Sequence, residues 1–344
     1  MRTRGPIAVL LAVIAGAGIF MYSYARRHAG GIAPAADPPE LVELAPVDST
    51  VLLYADVAAL RSSAFVMRLL AMVPPVTKDR DYAEFVRATG FDYERDLDRL
   101  VLAMLDEGKN AVTTAIVDGR FDQKKIAAYA LRTGKLEKQT SGDVYLIPAK
   151  SPGKTVVIRF LNSNRILLTD SRKLQPASEP IPKPSANTSE RGNRSAPEMQ
   201  ERIARVSGAP LFAVAKLDSA MQKKEFSFHD IRSEQLENLA RSVRWLSLAA
   251  RPEGDRVDLA LDGECDTAEN AQQLAGTLEG LRIMGRMALA DPKTGRQMDP
   301  ATLRVLGTLL RSAEVSRDDK GQVHRVRLTF VISQKAVAAG TASK

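Results

Sequence analysis

Residues 118–122, Asp-Gly-Arg-Phe-Asp, and residues 262–266, Asp-Gly-Glu-Cys-Asp, determine how this chain of 344 residues is organised. Each stretch follows an apolar, strand-like run and precedes an Ala-rich run with helical periodicity. The pattern predicts that the first aspartate of each stretch ends a strand at a glycine turn. It also predicts that the second aspartate, Asp122 or Asp266, caps the following helix. Two copies of one strand–turn–helix signal indicate two related units.

The similarity between the two copies extends outward from both stretches. Residues 97–131 and 243–278 each contain a strand, a Glu-Gly turn, a strand, an Asp-Gly turn and a helix. Upstream, the apolar runs 51–57 and 211–217 each follow a proline-bearing turn. Downstream, the apolar residues Val326, Leu328, Phe330 and Ile332 alternate with Arg325, Arg327 and Thr329, which is typical of a strand with one buried face. The sequence therefore predicts a tandem repeat.

Each unit has the element order strand, helix, strand, strand, helix, strand. This is the order of a ferredoxin-like βαββαβ sandwich, in which helices cover one face of an antiparallel sheet. We predict an α+β protein with a first repeat over residues 44–174 and a second over residues 198–335. Residues 175–197 are rich in Pro, Ser and charge and predict a disordered linker, and residues 336–344 a flexible tail.

An uncharged, largely apolar run of 20 residues lies at positions 5–24. As a helix it would cover about 30 Å, the thickness of the hydrocarbon core of a bilayer. The run is longer than the apolar core of a cleavable signal peptide, which is the alternative. We predict a signal anchor and transmembrane helix within residues 1–28, followed by a tether over residues 29–43. Because a short head is easily kept inside, we expect a cytoplasmic amino terminus and a periplasmic or extracellular bulk.

The charge balance argues against one class of partner. The formal net charge is +8, and four of the positive charges flank the apolar run, at Arg2, Arg4, Arg26 and Arg27. The rest of the chain mixes acids and bases without aromatic residues between them, so we expect no nucleic-acid partner. Since the sequence has one cysteine, Cys265, no intrachain disulfide can form.

The chain offers few residues for catalysis or metal binding. Its histidines, at 28, 229 and 324, lack the spacing of a zinc site, and no Gly-x-Ser-x-Gly motif is present. The acids of the two repeated stretches, spaced four apart, are the candidates for a calcium site or acid–base work. They are Asp118, Asp122, Asp262 and Asp266. We favour the structural roles given above, assign no catalytic residue and expect no cofactor.

Two further residues have alternative interpretations. Cys265 aligns with Phe121, which predicts a half-buried apolar position, but its place before a helix start could also lower the pKa of a reactive thiol. Trp245 lies in a strand-like run and is predicted to lie in the core or on a sheet face. An exposed tryptophan there would instead mark a binding surface.

These stretches resemble those of a loose group of uncharacterised bacterial envelope proteins that have one amino-terminal anchor and two diverged α+β repeats. The resemblance is carried by residues 46–56, Pro-Val-Asp-Ser-Thr-Val-Leu-Leu-Tyr-Ala-Asp, and by residues 118–122 and 262–266. It covers most of residues 44–332. It implies a membrane-anchored envelope protein, and it brings no activity and no site residue with it.

We therefore expect a non-catalytic, membrane-tethered binding or scaffold module of the cell envelope, with a protein or another envelope component as its partner. One alternative is a carrier or binder of a lipid or other hydrophobic ligand, held in a cavity between the helices and the sheet. A third hypothesis is a hydrolytic enzyme with a carboxylate-based site.

Overall fold

The computed structural model describes residues 39–71, 80–105, 112–139, 142–148, 155–171, 197–217, 242–290, 307, 309–319 and 323–334. The predicted anchor over residues 5–24, the predicted tail and all but the last residue of the predicted linker lie outside these ranges. Within them, no helix is both long and apolar enough to span a bilayer. The described chain divides into two compact units, residues 39–61 with 70–200 and residues 62–69 with 201–334.

Residues 39–171, apart from residues 62–69, form most of the first unit. The helices of this segment are α1 (Glu40–Glu43), α2 (Val57–Ser62), α3 (Ala64–Ala71, of which residues 64–69 belong to the second unit), α4 (Arg80–Thr89), α5 (Tyr93–Asp96) and α6 (Gln123–Thr133). Their strands are β1 (Val51–Asp56), β2 (Leu97–Leu105), β3 (Val112–Gly119), β4 (Lys135–Gln139), β5 (Gly142–Pro148), β6 (Thr155–Asn162) and β7 (Arg165–Ser171).

The strands of the first unit pair in the order β1-β2-β3-β7-β6-β5-β4, and each neighbouring pair is antiparallel. The first three strands form a meander. The chain then passes through α6 to the edge strand β4 and returns strand by strand, until β7 pairs with β3. The contact between β3 and β7 therefore joins the two halves of this sheet.

The second unit follows the same scheme with fewer strands. Its described elements are α7 (Pro197–Val206, of which residues 201–206 belong to this unit), β8 (Leu211–Lys216), β9 (Val243–Glu253), β10 (Arg256–Cys265), α8 (Ala268–Ala290), β11 (Glu314–Asp318) and β12 (His324–Ser333). These strands pair antiparallel in the order β11-β12-β10-β9-β8. Again the last strand, β12, returns to pair with the third strand, β10.

The α+β class with antiparallel sheets is confirmed, whereas the ferredoxin-like arrangement is not. A split βαβ unit contains parallel strands joined by a crossover helix. Here β1 is the direct antiparallel neighbour of β2, and β8 is the direct antiparallel neighbour of β9. The element order along the chain was a poor guide because it does not specify which strands pair.

Two local features define the start of the described chain. Residues 40–43 of the predicted tether form α1, and residues 29–38 lie outside the described residues. Ser63 separates α2 from α3, since its hydroxyl accepts a hydrogen bond from the Val66 amide at 3.3 Å.

The two repeated stretches differ in how they end a strand and cap a helix. β3 ends at Gly119, as predicted for Asp118, whereas the prediction that Asp262 ends a strand is wrong, because β10 continues to Cys265. The Asp122 carboxylate accepts a hydrogen bond from the Lys125 amide at 3.1 Å, so the predicted cap of α6 is confirmed. This hydrogen bond lowers the pKa of Asp122. The prediction for Asp266 is wrong, because the Thr267 hydroxyl accepts the hydrogen bond from the Asn270 amide, at 3.1 Å. The Asp266 side chain is 64% exposed and lies 3.4 Å from Arg244 Nη1.

The sheet of the first unit is buried on both faces. One face carries Leu52, Val101 and Ile116, and the opposite face carries Leu100 and Val117, all buried. Helices α4 and α6 pack against each other on the second face, where the rings of Phe85 and Tyr129 meet edge-on at 5.3 Å. An alternating pattern predicts one buried face, so the near-continuous apolar runs of β2 and β3 were the better indication of burial.

In the second unit, α8 covers part of one sheet face. Its buried residues Ala271 and Leu274 pack with Val243, Cys265 and Val326. The alternation predicted for β12 is partly confirmed. Val326 and Ile332, the first and last of the four alternating apolar residues, are buried, whereas Leu328 and Phe330 between them are half-buried.

Asp122→Ala should reduce the free energy of unfolding, because a helix N-cap is lost. The matched change Asp266→Ala should cost less than about 0.5 kcal/mol, because its ion pair is exposed. Urea unfolding of the purified protein measures both changes.

The pKa of Asp122 is lower in the folded chain, so the cap stabilises the folded protein at neutral pH. This contribution is lost as the pH falls through the lowered pKa. Equal losses for both variants would contradict the assignment of the two caps.

Candidate functional site

The first acid of each repeated stretch is bound by an arginine on the adjacent strand. Asp118 on β3 lies directly opposite Arg165 on β7. The guanidinium donates from Nε to Oδ1 at 2.6 Å and from Nη2 to Oδ2 at 3.0 Å. The side chains are 9% and 11% exposed, respectively. A bidentate, charge-assisted pair of this kind engages both carboxylate oxygens and fixes their orientation.

The pair belongs to a line of alternating charges. Arg99 on β2 places Nη2 2.8 Å from Asp118 Oδ2, and Arg165 Nη1 donates to Glu40 Oε1 on α1 at 2.9 Å. The hydrogen bonds from Arg165 to Asp118 raise the pKa of the guanidinium, which therefore stays charged. Because Asp118 already faces two cations, it is poorly placed to bind a metal ion or to transfer a proton.

The second unit repeats this geometry. Asp262 on β10 lies opposite Arg327 on β12. The guanidinium donates from Nε to Oδ1 at 2.7 Å and from Nη2 to Oδ2 at 3.2 Å. In both units the aspartate therefore lies on the third strand and its arginine on the last. The repeated stretches predicted equivalent positions for the two aspartates. No sequence pattern predicted that Arg165 and Arg327 would be their partners.

The four sequence candidates do not come together as a site for chemistry. Asp118 is engaged in a buried ion pair and the buried Asp262 pairs with a half-buried arginine, whereas Asp122 caps α6 and Asp266 is exposed beside Arg244. In the part of the chain that the structure describes, no group of three or more His, Cys, Asp or Glu residues is arranged to hold a metal ion. Each acid has a partner that accounts for its position.

A second charge cluster, which sequence reasoning missed, surrounds Glu264 in the second unit. This carboxylate is buried on β10 and accepts hydrogen bonds from Arg202 and Arg205 of α7. Arg325 on β12 places Nε 3.8 Å from the same carboxylate. The Arg202 guanidinium also lies 4.3 Å from the centre of the Trp245 ring, within the range of a cation–π contact.

The Glu264 cluster ties α7 to the sheet. Burial alone would lower the pKa of Arg205, but the hydrogen bonds and charges of Glu264 and Glu201 together outweigh burial, so the pKa is raised. Trp245 is buried, as predicted, and serves as the apolar base of this cluster. The three-residue spacing of Arg202 and Arg205 puts both on one side of α7, and this was the only feature of the sequence that could have predicted a shared partner. The carboxylate that they share lies about 60 residues away in sequence.

Cys265 and His324 have local structural surroundings. The Cys265 thiol is buried, and its burial raises the pKa to about 11, with the nearby Asp266 charge adding to the effect. A raised pKa suppresses the thiolate that reactive cysteines require. His324 Nδ1 lies 3.5 Å from Asp319 Oδ1. The other two histidines, at positions 28 and 229, lie outside the described residues.

An apolar cavity of about 60 Å³ lies within the first unit, between its helices and its sheet. Aromatic and aliphatic side chains form its wall, among them Phe85, Phe91, Phe121, Ile126, Ile158 and Leu168. A dry cavity of about 150 Å³ admits a molecule the size of benzene. The present cavity is smaller, so it can hold only a few carbon atoms unless the helices move.

No protein-family model matches the chain, and no curated protein matches it significantly. Among solved structures, it is similar to crystal form III of TP0453, with a TM-score of 0.43 and 11% sequence identity over 89% of this chain and 97% of that chain. Crystal form I of TP0453 gives a TM-score of 0.41 and 8% identity, over 90% of this chain and 98% of that chain.

The Cys265 thiol should react slowly with a disulfide reagent in the folded protein. At pH 8, a pKa of about 11 instead of 9.0 reduces the thiolate fraction about 100-fold, and burial slows access further. We expect labelling of the folded protein to be at least about 100 times slower than labelling in urea, as measured by the absorbance of the released reagent.

Because the pKa of the folded thiol is raised, the thiol contributes stability below pH 9 that is lost as the pH rises towards 11. Equal labelling rates in the folded and unfolded states would contradict the buried position.

Proposed function

We propose that this protein is a membrane-tethered binding or scaffold module of the cell envelope, with a protein or another envelope component as its partner. The observation that carries the proposal is the engagement of Asp118 and Asp262, the acids best suited to chemistry. Each is bound by an arginine in its own sheet and stabilises the pairing of two strands. Their roles are accounted for by the fold, without a reaction.

The proposal includes the tether and the ancestry of the units. Residues 5–24 would anchor the chain, with the amino terminus in the cytoplasm and the remaining bulk in the periplasm or outside the cell. The two units would be diverged copies of one ancestor. Their shared pairing scheme supports this, since in each sheet the last strand returns to the third and brings an arginine to an aspartate.

Rigid sheets suit a binding module. A surface that is ordered before association loses less conformational entropy when its partner binds. In the first unit, the charge line from Arg99 to Glu40 connects three strands and a helix across the sheet. In the second unit, Glu264 holds α7 through two arginines. Both networks restrict the relative movement of the elements within their own unit.

The apolar cavity of the first unit favours a second candidate function, the binding of a hydrophobic ligand. Its wall has the chemistry that a hydrocarbon group prefers. Its volume of about 60 Å³ is far below the 300 Å³ or more of typical ligand pockets, so this function requires the cavity to open. We therefore rank it below the scaffold function.

In-cell crosslinking of the full-length protein in its native membrane, with mass spectrometry of the products, tests the proposal. The control replaces residues 5–24 with an unrelated apolar run of equal length. We expect one partner to be captured by both versions, because the folded units recognise it. The proposal would be contradicted if the partner is captured only when residues 5–24 are native. It would also be contradicted if neither version captures a partner. Native mass spectrometry that detects a bound apolar molecule would favour the second candidate.

A further inference from the structure

The carboxyl-terminal half of α8 exposes large apolar side chains. Ile283, Met284 and Met287 are 48%, 55% and 69% exposed. Nearer its start, the same helix packs on the sheet through Ala271 and Leu274. Because exposed apolar side chains that adjoin one another commonly mark an interaction surface, this half of α8 needs a partner to explain it.

Two glycines continue the apolar surface along the helix. With 3.6 residues per turn, Gly276 and Gly280 lie on the same side of α8 as Ile283, Met284 and Met287. Apart from the adjoining residues and the nearby backbone of α8 itself, no atom of the described residues lies within 4 Å of the position that a Cβ would occupy at either glycine. We call these five residues the open face. It combines a shallow depression at the glycines with a protrusion at Met287.

We propose that the open face is a contact between two copies of this chain, packed with their α8 helices antiparallel. This surface does not depend on the function proposed above. A two-fold contact requires a surface that complements itself, with every contact made twice. The depression and the protrusion of the open face meet this requirement.

The spacing of the open face selects one register. A two-fold axis that passes midway between residues 282 and 283 places Met287 of one copy at the level of residue 278 in the other. Residue 278 is the midpoint of Gly276 and Gly280, so each methionine enters the depression left by the two glycines. The two Ile283 side chains meet beside the axis.

The charges beside the open face select the same register. The same axis brings Arg286 of one copy to the level of Glu279 in the other, and this pairing also occurs twice. The Glu279 side chain is 40% exposed. It already accepts a hydrogen bond from Arg282 in its own helix, at 2.8 Å. A carboxylate has about four acceptor positions, so it can receive a second guanidinium. Parallel packing would instead place Arg286 beside Arg286.

Disulfide crosslinking of the full-length protein in its native membrane tests the contact. Ile283→Cys places the two thiols beside the axis, whereas Gln272→Cys places them about 31 Å apart along the helices. We expect about tenfold more linked dimer from Ile283→Cys than from Gln272→Cys. The wild-type protein gives the background, since its own thiol at Cys265 is buried.

A charge exchange in the Ile283→Cys protein tests the register. Arg286→Glu alone and Glu279→Arg alone should each reduce the linked dimer about fivefold, and the two changes together should restore it to within about twofold. Equal linking from positions 283 and 272, or no restoration by the double change, would overturn the proposal. Quenching of a fluorophore at Met287→Cys by brominated lipid would also overturn it, because a lipid surface would then cover the open face.

Discussion

A bidentate arginine–aspartate pair holds the last strand of each unit against the third strand. The third strand ends the initial meander, and the last strand is the only described part of the later segment that pairs with it. Backbone hydrogen bonds alone would allow the two strands to slip. Because side chains alternate between faces, a slip of one residue would move Asp118 or Asp262 away from its arginine and leave a charge buried without its partner. The ion pair therefore specifies the register on which the remaining packing depends.

The same constraint explains why the acids of the repeated stretches are poor candidates for catalysis. A catalytic carboxylate needs a free oxygen and access to substrate, whereas Asp118 lies between Arg99 and Arg165 in a buried row. Asp122, four residues later, caps the helix that leaves the sheet. Residues 118–122 thus end a strand, fix the register of that strand and cap the following helix. In residues 262–266 only the ion pair of the first aspartate recurs, since β10 continues to Cys265 and Thr267 caps α8.

The local part of this arrangement could be predicted from the sequence. The end of β3 at Gly119, the cap at Asp122 and the apolar surroundings of Cys265 depend on neighbours close in the chain. The predicted strand end at Asp262 was wrong, since β10 continues to Cys265. The strand pairing could not be predicted, because Arg165 is 47 residues from Asp118 and Arg327 is 65 residues from Asp262. The Glu264 cluster was missed for the same reason. The error at Asp266 was local, since Thr267 is also a good capping residue and competed for the position.

The measurement that tests this account most directly compares two identical substitutions four residues apart. Asp118→Asn removes the charge that balances Arg99 and Arg165, and it should reduce the free energy of unfolding by about 3 kcal/mol. Asp122→Asn keeps a capping side chain and should leave the free energy of unfolding nearly unchanged. Asp262→Asn and Asp266→Asn should show the same contrast in the second unit. If urea unfolding shows that Asp118→Asn and Asp262→Asn are tolerated as well as their controls, the ion pairs do not hold the sheets together.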